Sequence, residues 1–66
     1  MANKLKEMRF KRMMTMAELS RRSGISRTTI WNIETKPDWD VNSGTMIALA
    51  KALDMTVNDI FFADGV

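Results

Sequence analysis

At 66 residues the chain is shorter than a usual domain and has room for one small hydrophobic core. With neither cysteine nor histidine it has no disulfide staples, no thiolate or imidazole metal site and no nucleophile paired with a histidine base, while 45% apolar and 27% charged residues indicate a folded rather than a disordered chain. The net charge of +2 conceals an asymmetry: up to Lys36 nine basic residues face three acids, and beyond it Lys51 faces five aspartates. The basic end is therefore a candidate polyanion-binding face and the acidic end repels the same ligand, although such charges also serve plain solubility.

From Asn3 to Arg12, Leu5, Met8 and the aliphatic stem of Arg9 fall at helical spacing and predict a short amphipathic first helix. Lys4 and Lys6 have no apolar stretch behind them, so the segment does not read as a signal peptide and the expected compartment is the cytoplasm. Thr15-Met16-Ala17-Glu18 has the pattern of a capping box and starts a second helix near Met16, which stops at Gly24, a residue able to enter the left-handed region at no steric cost. Ser26 caps a third helix from Arg27 to about Glu34.

Pro37 ends that helix and opens a loop through Trp39 and Asp40. Asn42 or Ser43 caps a fourth helix whose apolar positions Met46, Ile47, Leu49, Ala50 and Leu53 form a stripe; Asn42 is favoured because Val41 and Met46 then form a hydrophobic staple. The longest apolar run, Met46 to Ala50, is far too short to span a bilayer. Thr56 caps a last turn, Val57 to Phe61, and Phe62 to Val66 is either ordered tail or fraying end. No segment alternates with period two, so the expected class is all-α, with four or five short helices and no sheet.

The informative spacing lies between Met16 and Ile33. Two helices joined at Gly24 cross closely, Ser20 is small enough to face the turn, and Ile25 plugs it. Ile30 and Ile33 give the third helix an inward edge, which leaves Arg27, Thr28, Trp31 and Asn32 on a polar, hydrogen-bonding outer edge.

The run from Thr15 through Gly24 to Glu34, followed by Leu49-Ala50-Lys51-Ala52-Leu53, resembles the phage repressor and Cro-type (XRE, lambda-repressor-like) helix-turn-helix family over roughly Leu5 to Phe61. The resemblance implies a compact five-helix domain across residues 1–66, with the helix-turn-helix at about 16–34. It implies a transcriptional regulator of bacterial, phage or mobile-element origin that binds double-stranded DNA. In that family the third helix lies in the major groove, which would make Arg27, Thr28 and Asn32 base readers: arginine suits guanine, asparagine suits adenine and threonine suits a thymine methyl. Trp31, outside the inward edge, would add an apolar contact to a thymine methyl or the sugar wall; otherwise it folds back over Met16 or an arginine stem.

The resemblance also pairs Arg9 with Glu34, tying the recognition helix to the scaffold. It makes Thr15, Met16, Arg22, Ser26, Thr29 and Lys36 the phosphate contacts. Three departures from the family pattern stand out. Met16 replaces a glutamine that commonly clamps a phosphate, leaving backbone N–H groups for that work. Met13 stands where glycine often ends the first helix, so that exit is either strained or differently shaped. The loop after the recognition helix carries only Lys36 before Asp38 and Asp40.

These implications converge on a sequence-specific regulator, a small Cro-like repressor that acts by occupying a palindromic operator as a homodimer. Its dimer surface would be Trp39, Val57, Phe61 and Phe62. No enzymatic activity, metal, cofactor or small-molecule ligand is expected. The alternative is a protein-interaction module on the same fold, an antitoxin or anti-repressor docking through Trp31, Trp39 or the Phe61 and Phe62 end. The seven methionines are read as core filling rather than as a promiscuous groove.

Overall fold

The computed structural model describes residues 3–62 and folds them into α1 (Leu5–Lys11), α2 (Met16–Ser23), α3 (Arg27–Thr35) and α4 (Ser43–Ala52), followed by one π-helical turn, Asn58–Phe62. No strand occurs among the described residues, in keeping with the expected all-α, five-helix class. Phe62 ends the closing turn, which begins one residue later than the sequence suggests, and the rest of the tail, 63–66, lies outside the described residues.

Each of the longer helices starts on a side-chain cap. Thr15 Oγ1 accepts from Glu18 N–H at 3.1 Å, Ser26 Oγ from Thr29 N–H at 3.2 Å and Asn42 Oδ1 from Thr45 N–H at 2.8 Å, each worth about 1 kcal/mol. Asn42 rather than Ser43 is thus the cap of α4, and Val41 and Met46 pack half-buried at the same core edge. The box at Thr15 is only half formed, because Glu18 turns forward to Arg21 and Arg22 instead of back to Thr15 N–H. Cations three and four residues along the helix offer charge-assisted bonds that a neutral amide cannot match. The reciprocal box sits at Thr56, whose N–H donates to Asp59 Oδ2 while its Oγ1 accepts from Asp59 N–H, both at 3.1 Å.

Three of the four α-helices, α1, α2 and α4, end in the left-handed region. Gly24, at φ 76°, closes α2 with its N–H on Ser20 O, and a Cβ there would meet nothing within 4 Å, so the demand for glycine is purely conformational. The exits of α1 and α4 have the same shape without glycine. Met13 (φ 58°) and Asp54 (φ 55°) each send N–H to the carbonyl three residues back, while Met14 and Met55 reach Arg9 O and Ala50 O. Both are Schellman motifs, with a half-buried methionine making the apolar contact that usually accompanies one. Arg12 completes the end of α4, its Nε donating to Leu53 O at 2.8 Å and its Nη2 to Asp54 O at 3.2 Å. A cation there satisfies carbonyls that the helix leaves unpaired.

The core unites Leu5 of α1, Leu19 of α2, Ile30 and Ile33 of α3, Leu49, Ala50 and Leu53 at the end of α4, and Ile60 and Phe61 of the closing turn. α2 packs on α3 and α4, while α1 packs on α3 and the closing turn, where Lys4 N–H also bonds Ile60 O. Two expectations fail here. Ile47 lies off the stripe defined by Met46, Leu49, Ala50 and Leu53, and it is exposed. Phe61, expected on a dimer surface, is 5% exposed: the closing turn lays adjacent Ile60 and Phe61 against the core and leaves Phe62 outside. No helix among the described residues is long and apolar enough to cross a membrane.

Met13 is 92% exposed, so glycine there removes left-handed strain of about 1–2 kcal/mol without loss of packing and returns part of it as unfolded-chain entropy. Met13→Gly should raise stability by about 0.5–1 kcal/mol and Asp54→Gly by less, aspartate tolerating the region better, whereas Gly24→Ala should lower it by about 1 kcal/mol. Urea midpoints at unchanged m-value measure all three.

Acid should weaken the fold through two surface carboxylates. Glu18 is held below the usual carboxylate range by its hydrogen bonds from Arg21 and then Arg22, and Asp59 chiefly by the Thr56 backbone N–H, with Lys11 adding to it. Both therefore bind protons less readily folded than unfolded. Their contribution is complete above an unfolded pKa of about 4 and is lost as pH falls through the lower folded values. A stability profile should decline below about pH 4, and Glu18→Gln with Asp59→Asn should flatten that limb.

Candidate nucleic-acid interface

α3 is positioned from behind. Ile30 and Ile33 enter the core, and Glu34, on the last turn, points its carboxylate at α1. Arg9 Nε donates to Glu34 Oε2 at 2.7 Å and Nη2 to Oε1 at 3.0 Å, a bidentate pair, while Nη1 donates to Met14 O at 2.8 Å. The Glu34 side chain is fully buried, and the Phe10 ring, 4.7 Å from the guanidinium carbon, covers Arg9 on the surface side. The Glu34 hydrogen bonds raise the Arg9 pKa further above its already high value, against the opposing effect of burial. At the same end of α3, Asn3 Nδ2 donates to Ile33 O at 3.1 Å, a contact with no periodic signal in the sequence. No buried side-chain nitrogen or oxygen among the described residues lacks a hydrogen-bond partner.

The outward edge of α3 is open. Arg27 and Thr28 are exposed, Trp31 is 49% exposed, and Asn32 is half-buried with its amide unbonded among the described residues. Arg27, Thr28 and Trp31 line one shallow cleft with Met16, so Trp31 lies beside Met16 and still faces outward. Trp31 is thus exposed, as expected, and flanked by Met16.

The expected phosphate residues do not form one group. Met16 borders the outward edge of α3, but Thr15 and Arg22 line a second cleft, formed with Arg12 and the end of α4. Arg22 shares Glu18 with Arg21, which lowers its availability to an anion. Ser26 Oγ accepts from Thr29 N–H and donates to Thr29 Oγ1 at 2.9 Å, leaving the Thr29 hydroxyl proton for a partner outside. Lys36 leaves the helix in extended conformation with its ammonium close to both the Trp31 and the Trp39 ring.

The candidate dimer residues are also divided. Trp39 and Phe62 are exposed and line a groove with Val41 and Met46, Val57 is half-buried against the core, and Phe61 is interior. Sequence reasoning missed the roles of Arg12 and Asn3. It also missed the contact between Trp39 and Lys36, for which the nearness of two tryptophans to one lysine beside a proline turn was the available signal.

Two helices meeting across a Gly24 turn, the second locked by its inner edge and bare along its outer one, define a helix-turn-helix protein. The family model of the Cro/C1-type HTH DNA-binding domain matches residues 4–63, and the chain belongs to that family of DNA-binding regulators. Comparison with curated proteins gave no match, and comparison with solved structures gave none either.

Removing one partner of the Arg9 pair should strand a buried charge. Glu34→Ala is expected to cost about 3–5 kcal/mol, a large part of the roughly 3–10 kcal/mol available to a domain of this size. Replacing both charges together, Arg9→Met with Glu34→Leu, should cost less than the single change, and urea unfolding of the three proteins tests the order.

Proposed function

We propose that this protein is a sequence-specific transcriptional regulator, a small Cro-like repressor that binds a palindromic operator as a homodimer and works in the cytoplasm by occupancy. The observation that carries the reading is the contrast between the two edges of α3. The inner edge is fixed by Ile30, Ile33 and the Arg9 pair, and the outer edge offers donors and acceptors that no described residue satisfies. In the major groove Arg27 pairs with guanine O6 and N7, and Asn32 with adenine N6 and N7. Thr28 meets a thymine methyl, and Trp31 a methyl or the sugar wall. Each bidentate pair supplies about 1–3 kcal/mol of discrimination.

Phosphates are held by Thr15 and the Met16 N–H at the start of α2, by the Ser26 N–H and the Thr29 hydroxyl, by Arg22 alongside Glu18, and by Lys36. The dimer forms through Phe62 and the groove edge of Trp39, with half of Val57 at its margin. That same exposed groove favours a second reading, in which the fold docks a protein partner as an antitoxin or anti-repressor does.

Selection of bound sequences from a random duplex library at near-physiological salt separates the two. The operator reading expects an inverted repeat with half-sites about one helical turn apart; weak binding without enrichment, lost as salt rises, would overturn it in favour of a protein partner. On the selected operator, Asn32→Ala should relax preference at one base position, and Lys36→Ala should weaken every sequence alike and reduce the salt slope by about one. A uniform loss for Asn32→Ala would remove it as a reader.

A further inference from the structure

The Lys36 ammonium lies 5.8 Å from the Trp31 ring and 5.5 Å from the Trp39 ring, inside the range of about 6 Å where a cation is held by an aromatic face. The arrangement is built by the backbone. Trp39 N–H donates to Lys36 O at 3.0 Å, closing a four-residue turn with Pro37 at its second position, where the fixed φ of proline suits the turn. Trp31 approaches from the last turns of α3, and Trp39 also lines the groove with Val41, Met46 and Phe62. Although Asp38 and Asp40 are close in sequence, neither pairs with Lys36.

This environment differs from an ion pair in its consequence. An aromatic ring has no net charge, so Lys36 is held in place with its full positive charge still directed at solvent. A lysine on a solvated stem loses its rotamer freedom only when it grips a phosphate, and the loss weakens the contact. Here that ordering precedes binding.

We propose that Trp39 is a positioning residue for DNA: with Trp31 it presents the Lys36 ammonium to a backbone phosphate beside the C-terminal end of the recognition helix. The inference rests on the DNA-binding reading above and moves one face of Trp39 from the dimer surface to the nucleic-acid surface. Because Trp39 acts through Lys36, its effect must depend on Lys36 being present.

The test is a double-mutant cycle of Trp39→Leu and Lys36→Ala, read as affinity for the selected operator and for an unrelated duplex. Trp39→Leu should weaken both duplexes by about twofold to fivefold, the range expected for the loss of one exposed cation–π contact, and should cost almost nothing further once Lys36 is alanine. Trp39→Phe, which keeps an aromatic face, should restore most of the affinity, and thermal melts show that each variant is folded.

A Trp39→Leu loss that persists undiminished in the Lys36→Ala background places the residue in the dimer contact and overturns the proposal. An unaltered affinity for Trp39→Leu overturns it while leaving the DNA-binding reading intact, whereas a wild-type protein that binds no duplex removes both. Independently of DNA, the Lys36 side-chain protons nearest the ammonium should resonate upfield in the unbound protein through ring currents, and unshifted positions would equally sink the inference.

Discussion

The orientation of α3 depends on one buried ion pair. α3 has only nine residues, too few to be stable alone, and its two inward isoleucines fix its distance from the core better than its rotation. The two-pronged geometry of Arg9 on Glu34 supplies the missing constraint, because a bidentate pair tolerates neither a slide nor a twist of the helix that carries it. The third Arg9 donor, on Met14 O, anchors the turn between α1 and α2, so a single guanidinium relates three helices to one another.

The connections around that pair are short and strongly bent, and the chain turns by left-handed residues at three helix exits. Only one is glycine. Met13 and Asp54 occupy the same conformation at a cost that the Schellman hydrogen bonds, the flanking methionines and Arg12 offset. The scaffold thus concentrates its strain at the ends of α1 and α4 and leaves the helix-turn-helix exit at Gly24 unstrained.

What could be read from the chain divides by range. Caps at Thr15, Ser26 and Asn42, the exit at Gly24 and the burial of Ile30 and Ile33 are local: three or four neighbouring residues decide them, and their chemistry is visible in the sequence. The outward edge of α3 follows from the same periodicity. The Arg9–Glu34 pair was accessible only through family resemblance, since 25 residues separate its partners. Glu18 went to Arg21 and Arg22 because electrostatic competition within a helix turn is not resolved by a capping pattern. Phe61 turned inward because a closing π-turn lays two adjacent side chains on the core, where an alternating count would have placed one. Arg12 on Leu53 O spans 41 residues and carries no mark in the sequence.

The chain has two tryptophans and no tyrosine, and both indoles lie against the same lysine on the surface. Its ultraviolet emission consequently originates almost wholly at the junction of α3 and the following loop. Emission therefore serves as a built-in optical gauge of what approaches Lys36, while global unfolding is better followed by circular dichroism.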